Sequence, residues 1–147
     1  MTCYADSSWW LALKCRRDMH HRRAWRFFDR NPDGEVMWTP WQRVEVFNCF
    51  LQAERHGLVD AGEGGQMVRL LDHEVRLGYW PHRELSWTDA IRRACQISAE
   101  HSLDLIVRGM DLFHVAIAME LKAEGFLSFD KEQKELAERS GLKLIKL

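Results

Sequence analysis

At 147 residues, 46% of them apolar and 29% charged, the chain is sized for one domain (1–147) with a real core, and it is too apolar for disorder. No apolar run approaches the roughly 20 residues that span a bilayer, and the N-terminus lacks the pattern of a secretory signal, so no membrane partner and a cytoplasmic location are expected. A formal net charge of −1 argues against a global pull toward nucleic acid, and four scattered cysteines with no Cys-x-x-Cys pair argue against a zinc site or a disulfide framework.

Thr2 to Ala5 is a short β-capable run, and Asp6-Ser7-Ser8 behind it is a helix-start signal. Trp9, Trp10, Leu11 and Leu13 carry the first helix. A second helix, from about Met19 to Asp29, is expected to turn Ala24, Trp25, Phe27 and Phe28 toward the core. Between Lys14 and Arg30 lie seven basic residues against two acids, a local balance of +5. Such a run suits a solvated helix face, and it also suits contact with phosphate. Asn31-Pro32-Asp33-Gly34 is a turn, Val36 to Thr39 a second short strand, and Pro40 fits the first turn of the next helix.

That third helix, Pro40 to His56, is expected to bury Val44, Phe47 and Leu51, with Val46 and Phe50 alongside and Glu45, Asn48 and Gln52 on another stripe. Gly57 ends it. Met67, Leu70, Leu71, Val75 and Leu77 mark a fourth helix, and Gly78 to Leu85 is compatible with a strand interrupted by Pro81. Ser86-Trp-Thr-Asp opens a helix whose apolar face is Ile91, Ala94, Cys95 and Ile97. Leu103 to Val107 leads to a further helix, with Met110, Phe113, Ile117 and Leu121 at helical spacing and Gly125 as its C-terminal cap. Phe126 to Phe129 then reads as a strand ending on Asp130, followed by a charged helix from Lys131 to Arg139 and a last strand from Leu142 to Ile145. Alternating strands and helices imply an α/β fold, a small, mostly parallel sheet with helices on both faces. Cys3, Cys15, Cys49 and Cys95 are expected as small buried side chains.

Four acids stand out by position. Asp6 follows the first strand, Glu45 lies in the helix after the second, Asp111 opens a later helix, and Asp130 follows the penultimate strand. Each has a structural explanation: Asp6 and Asp130 as N-caps, Asp130 with Gln133 as a capping box, Asp111 at a helix dipole, and Glu45 in solvent. Taken together they sit where an open α/β sheet gathers its ligands. Carboxylates crowded there repel one another, and a hard divalent cation relieves the repulsion. Mg²⁺ or Mn²⁺ at such a site implies metal-assisted phosphodiester hydrolysis. Ser7 or Ser8 offers a hydroxyl to the same shell.

Tyr4-Ala-Asp6-Ser-Ser, Thr39-Pro-Trp-Gln-Arg-Val-Glu45-Val-Phe-Asn48, Arg108-Gly-Met-Asp111-Leu-Phe-His114-Val-Ala-Ile-Ala and Phe126-Leu-Ser-Phe-Asp130 resemble, in order and spacing, the four acidic motifs of the PIN-domain ribonucleases, closest to the VapC-type toxins of toxin–antitoxin pairs. The resemblance runs over nearly the whole chain. It implies a PIN-like fold and a Mg²⁺- or Mn²⁺-dependent endoribonuclease acting on RNA. It implies also a homodimer, a cognate antitoxin partner, and Asp6, Glu45, Asp111 and Asp130 as the catalytic, metal-coordinating acids. Glu132 and Gln133 stand where the family often has a further acidic or polar residue. His114, one turn beyond Asp111, is expected to orient a carboxylate or to pack; Arg108 is placed for an acid, a phosphate or a surface ion pair.

Most of the seven tryptophans fall on apolar helix faces and are expected in the core. Trp9, Trp10 and Trp41 lie beside motif residues, where they suit base stacking or a groove for an antitoxin helix, with the basic run near Arg22 to Arg26 adding charge. Two other readings compete. One is a catalytically inactive PIN-like scaffold that binds RNA or a protein partner. The other is an unrelated α/β domain in which the acids are only caps, with phosphatase-like chemistry, although no glycine-rich phosphate loop is present.

Overall fold

A computed structural model describes all 147 residues. Three parallel strands form the sheet, in the order β2-β1-β3: β1 (Thr2–Ala5) is central, β2 (Glu35–Val36) and β3 (Gly125–Leu127) flank it. Cys3 lies opposite Val36 on one side and Gly125 on the other, and Tyr4 faces Phe126. Seven helices complete the chain: α1 (Ser7–Lys14), α2 (His21–Arg30), α3 (Pro40–Arg55), α4 (Glu63–Arg76), α5 (Trp87–His101), α6 (Gly109–Glu120) and α7 (Lys131–Arg139).

Side chains alternate across a strand, and β1 uses both faces. Cys3 and Ala5 enter a core with Trp9, Trp10, Phe50 and Leu71, from α1, α3 and α4, and with Trp38 from the segment between β2 and α3. Tyr4 enters a second core with Ile97, Val115, Ile117 and Leu136, from α5, α6 and α7, and with Phe126 from β3. Helices therefore cover the sheet on both faces, as the sequence pattern implies. Trp10 is the hub of the first core, meeting Trp9, Trp38 and Trp80 edge to face with ring centroids 5.2, 5.2 and 4.8 Å away. Offset and edge-to-face geometry is what the ring quadrupoles favour.

Several helices are rotated from the expected faces. In α3, Val44 and Leu51 point to solvent, while Val46 and Phe50 are fully buried with Gln42 and Ala53. The cause is polar: Gln42 takes the Thr39 N–H on its Oε1 at 2.8 Å and donates its Nε2 to the Ala5 carbonyl at 2.7 Å, which pins the start of α3 to the end of β1. The second helix starts at His21, leaving Met19 outside it and exposed; it buries Ala24 alone and leaves Trp25 and Phe28 exposed. In α4, Leu70 and Leu77 are exposed beside a buried Leu71; in α5, Ile91 and Cys95 are exposed and Ala90, Ala94 and Ile97 face inward. Cys3 and Cys15 are buried as expected; Cys49 is half-buried.

The outer strands are shorter than their sequence runs. Beyond β2 only a single bridge, Trp38 to His82, continues the pairing, and Leu144 alone of the last run bridges to Phe126. Gly125 is not a helix cap. The helix before it ends at Glu120, and the reversal falls on Lys122, whose φ is +54°. Gly125 is instead the first residue of β3, where an added Cβ would meet Ile145 Cδ1 at 2.6 Å and Cys3 Sγ at 3.1 Å. Close approach requires the glycine there.

Candidate acidic site

The carboxyl ends of β1 and β3 deliver two acids side by side. Asp6 caps α1: its Oδ1 accepts the Trp9 N–H at 3.1 Å and the Ser8 hydroxyl at 2.7 Å. Its Oδ2 accepts the Ser128 hydroxyl at 2.6 Å. Only 3% exposed, Asp6 has its carboxyl pushed up to about 6 by burial, against the pull of those three donors and helped by the charge of Asp130. Asp130 caps α7, accepting the Gln133 N–H at 2.9 Å, and its own N–H donates to Ser128 Oγ at 3.0 Å. Ser128 thus sits between the two acids, and Ser8 accepts the Phe129 N–H at 2.9 Å to hold the same edge.

Asp111 lies in the first turn of α6 and accepts the Arg108 N–H on Oδ2 at 3.2 Å. Burial raises its carboxyl, and the charges of Asp130 and the neighbouring Glu132 add to the shift. Gln133 does not close a capping box back onto Asp130; its Nε2 donates to the Asp111 carbonyl at 3.1 Å and ties α7 to α6. Glu45, half-buried on α3, is raised by burial and then by the charge of Asp111. Repulsion therefore links Asp6 to Asp130, Asp130 to Asp111, and Asp111 to Glu45. The cluster runs from buried Asp6 to exposed Asp130. Its one neighbour at ion-pair range is His114, whose Nε2 lies 3.9 Å from Glu45 Oε2. That ring is buried, its pKa lowered to about 3 by desolvation, and so it is neutral near pH 7.

No protein-family model matches the sequence, and no curated protein matches it. Solved structures do. VapC20 of Mycobacterium tuberculosis, a sarcin–ricin loop cleaving toxin, superposes with a TM-score of 0.72 at 16% identity over 99% of each chain. VapBC2 of Rickettsia felis, bound to a DNA fragment from its promoter, gives 0.67 at 13% identity over 100% of this chain and 99% of that one. VapBC-1 of nontypeable Haemophilus influenzae gives 0.66 at 11% identity, over 99% and 98%. The chain has the PIN-domain fold of the VapC toxins.

Within this PIN-domain fold the donor set suits a hard cation by type: carboxylates flanked by the hydroxyls of Ser8 and Ser128, with no lysine or arginine in ion-pair contact with the four acids. It does not form a closed cage, since no three acidic, histidine or cysteine side chains converge to metal-holding spacing. One or two carboxylates with several retained waters is the coordination that Mg²⁺ ordinarily takes.

Trp9 and Trp10 are wholly buried and cannot stack bases or line a groove. Trp41, half-buried, packs on Phe113 with centroids 4.9 Å apart and edge-on to His114 at 6.3 Å. Arg108 is exposed and meets Asp111 through its backbone N–H. Of the two serines after Asp6, Ser8 joins the site. Sequence reasoning missed Tyr4, Gln42 and Ser128. Ser128 carried one usable signal, its place two residues before Asp130 at a strand end.

Proposed function

We propose that the chain is a Mg²⁺- or Mn²⁺-dependent endoribonuclease, the toxin of a toxin–antitoxin pair. The observation that carries this reading is the gathering of Asp6, Glu45, Asp111 and Asp130, from four separated segments, into one chain of mutually repelling charges at the sheet edge. A divalent ion bound there supplies Lewis-acid stabilisation of the phosphoryl oxygens and an activated water. Asp6, fixed by three donors, would hold its carboxylate in one orientation. Asp130, exposed at the mouth, would be the first acid to meet the backbone of RNA. Asp111 and Glu45, brought in by α6 and α3, would complete the acidic set around the ion.

VapC20 is described as cleaving the sarcin–ricin loop, and two of the similar structures are VapBC pairs, which supports an RNA substrate and an antitoxin partner here. An RNA substrate is consistent with a cytoplasmic location; no helix is long and apolar enough to cross a membrane. A homodimer belongs to the same reading, and light scattering on the purified chain tests it. For the antitoxin, the exposed aromatic surface is not the Trp9–Trp10 pair but Trp25, Phe28 and Tyr79, which line a recess with Leu13, Lys14 and Trp80. Arg22 and Arg26, exposed on the same helix as Trp25, are in no ion pair and favour an antitoxin segment that combines apolar anchors with carboxylates.

The absence of a closed metal cage favours one second reading, an inactive scaffold that binds RNA or a protein partner. Structured RNA incubated with the purified chain, in Mn²⁺ or in EDTA, decides between them. Mn²⁺-dependent cleavage lost in Asp111→Asn supports the nuclease; RNA retention without cleavage in both supports the scaffold. Growth arrest on induced expression of the wild type, absent with Asp111→Asn, tests the toxin role.

A further inference from the structure

We propose that His114 is a positioning residue for Glu45, its ring locked by Tyr4 as the Nε2–H tautomer so that one N–H is aimed at the Glu45 carboxylate. This inference rests on the acidic-site reading and adds to it a residue that touches neither substrate nor metal. The Tyr4 hydroxyl lies 3.0 Å from His114 Nδ1, both side chains being buried. A hydrogen bond at that distance has two possible directions, and the surroundings choose between them.

If Nδ1 carried the proton and donated to the phenol, the buried Tyr4 O–H would have only the Thr39 hydroxyl to turn to, and that group is already engaged with Gln42, donating to its Oε1 at 3.0 Å and accepting its N–H at 3.3 Å. The Nε2 lone pair would then face the Glu45 carboxylate, 3.9 Å away, against electrostatic sense. With the phenol donating to Nδ1, its proton is satisfied and Nε2–H points toward a negative group. That nitrogen is buried and has no hydrogen-bond partner, a costly state for a donor unless something closes on it. Glu45 is the group within reach. Outer-shell donors that hydrogen-bond a ligating carboxylate are a common way to orient a metal-binding group.

The ring cannot easily turn away. Tyr4 stacks on Phe126 with centroids 5.9 Å apart and meets the His114 ring edge-on at 5.8 Å, while Trp41 closes the other side at 6.3 Å. Tyr4 is anchored in the central strand and His114 in α6, so the sheet itself sets the direction of the N–H toward α3. The fold thus brings Glu45, the one acid of the four outside a helix-start position, under control from β1.

Nitrogen-15 NMR of histidine-labelled protein reads the tautomer directly, with the His114 signal assigned by its loss in His114→Gln. A protonated Nε2 and a pyridine-like Nδ1 are expected, with averaging toward a mixture in Tyr4→Phe. A protonated Nδ1 in the wild type overturns the proposal. Calorimetric Mn²⁺ titration supplies the second readout. Glutamine can place an amide N–H near the Nε2 position, whereas asparagine reaches only the Nδ1 position. Mn²⁺ affinity about tenfold weaker in His114→Asn but close to wild type in His114→Gln is expected, in the range typical of groups that orient metal ligands. Equal affinities in the two variants, each folded by circular dichroism, overturn it. Should the wild type bind no Mn²⁺, the nuclease reading fails by itself. The positioning claim is then decided by the tautomer and by the Glu45 carboxyl carbon-13 shift, which should move in His114→Asn and not in His114→Gln.

Discussion

Ser128 Oγ donates to Asp6 Oδ2 at 2.6 Å, joining the end of β3 to the end of β1 across 122 residues of sequence. The bond offsets part of the cost of burying a carboxylate that is only 3% exposed. Ser128→Ala removes it, and Asp6 should then titrate even higher in the folded protein than its present value of about 6. A raised folded value means that Asp6 favours the fold below about pH 4, where it is protonated in every state, and that this contribution is lost as pH rises through 6 and beyond. Ser128→Ala should therefore cost roughly 1–3 kcal/mol near pH 8 and clearly less near pH 4. Urea unfolding at the two pH values measures the difference; a pH-independent cost would place the effect elsewhere.

Asp6→Asn should separate charge from shape. Asparagine keeps an oxygen for the Trp9 N–H cap at Oδ1 but carries no charge. In EDTA above pH 7 the ionised wild-type carboxylate is held against its preference, so the variant should melt a few degrees higher there, with the gap closing as pH falls below the folded value of about 6. Added Mn²⁺ should reverse the order, raising the wild-type melting temperature and leaving the variant unmoved. Because ligand carboxylates must be deprotonated, the Mn²⁺ effect on the wild type should fade below pH 6.

The parallel sheet with helices on both faces, and the helix-start positions of Asp6, Asp111 and Asp130, were legible because strand ends, caps and turns are local. Asp6 after Ala5, Thr39 before Pro40, and Asp130 before Lys131 each announce a helix start within a few residues, and each is a cap in the structure. What was not legible depends on distant partners. Nothing near Gln42 in sequence indicates that its amide reaches the Ala5 carbonyl, and with the start of α3 held there Phe50 faces inward while Leu51 does not. Ser128 and Tyr4 likewise gain their roles from residues more than 100 positions away. The exposed Trp25 and Phe28 reversed the expectation for α2 because Ala24 and Phe27 meet the core, Phe27 on Trp9 at 6.3 Å, while Trp25 and Phe28 are left on the flank against each other at 5.7 Å.

The rotation of α3 is directly measurable. Phe50 is wholly buried against the tryptophan core, and Leu51 is 49% exposed. Phe50→Ala should destabilise by about 3–5 kcal/mol, the range for deleting a buried aromatic ring. Leu51→Ala should cost under about 1 kcal/mol, as at exposed sites generally. The burial expected from sequence alone puts Leu51 in the core with Phe50 alongside, which makes both variants costly, so chemical denaturation of the two discriminates between the faces.

Gly125 offers the same kind of test for the sheet. Were it a helix cap, alanine would be resisted by a left-handed backbone; φ at Gly125 is not in that region, and the positive angle belongs to Lys122. The obstacle is contact: an alanine Cβ would lie 2.6 and 2.7 Å from Ile145 Cδ1 and Cγ1, and 3.1 Å from Cys3 Sγ. Ile145 is a partly buried side chain of the C-terminal run, able to yield at the expense of its packing. Gly125→Ala should thus destabilise by about 1–3 kcal/mol through overpacking. Ile145→Ala clears two of the three contacts, so adding it to Gly125→Ala should cost less than Ile145→Ala does in the wild-type background. That non-additivity is the mark of a shared contact. A strictly additive double mutant would return the glycine's role to backbone conformation and remove close approach as the reason for it.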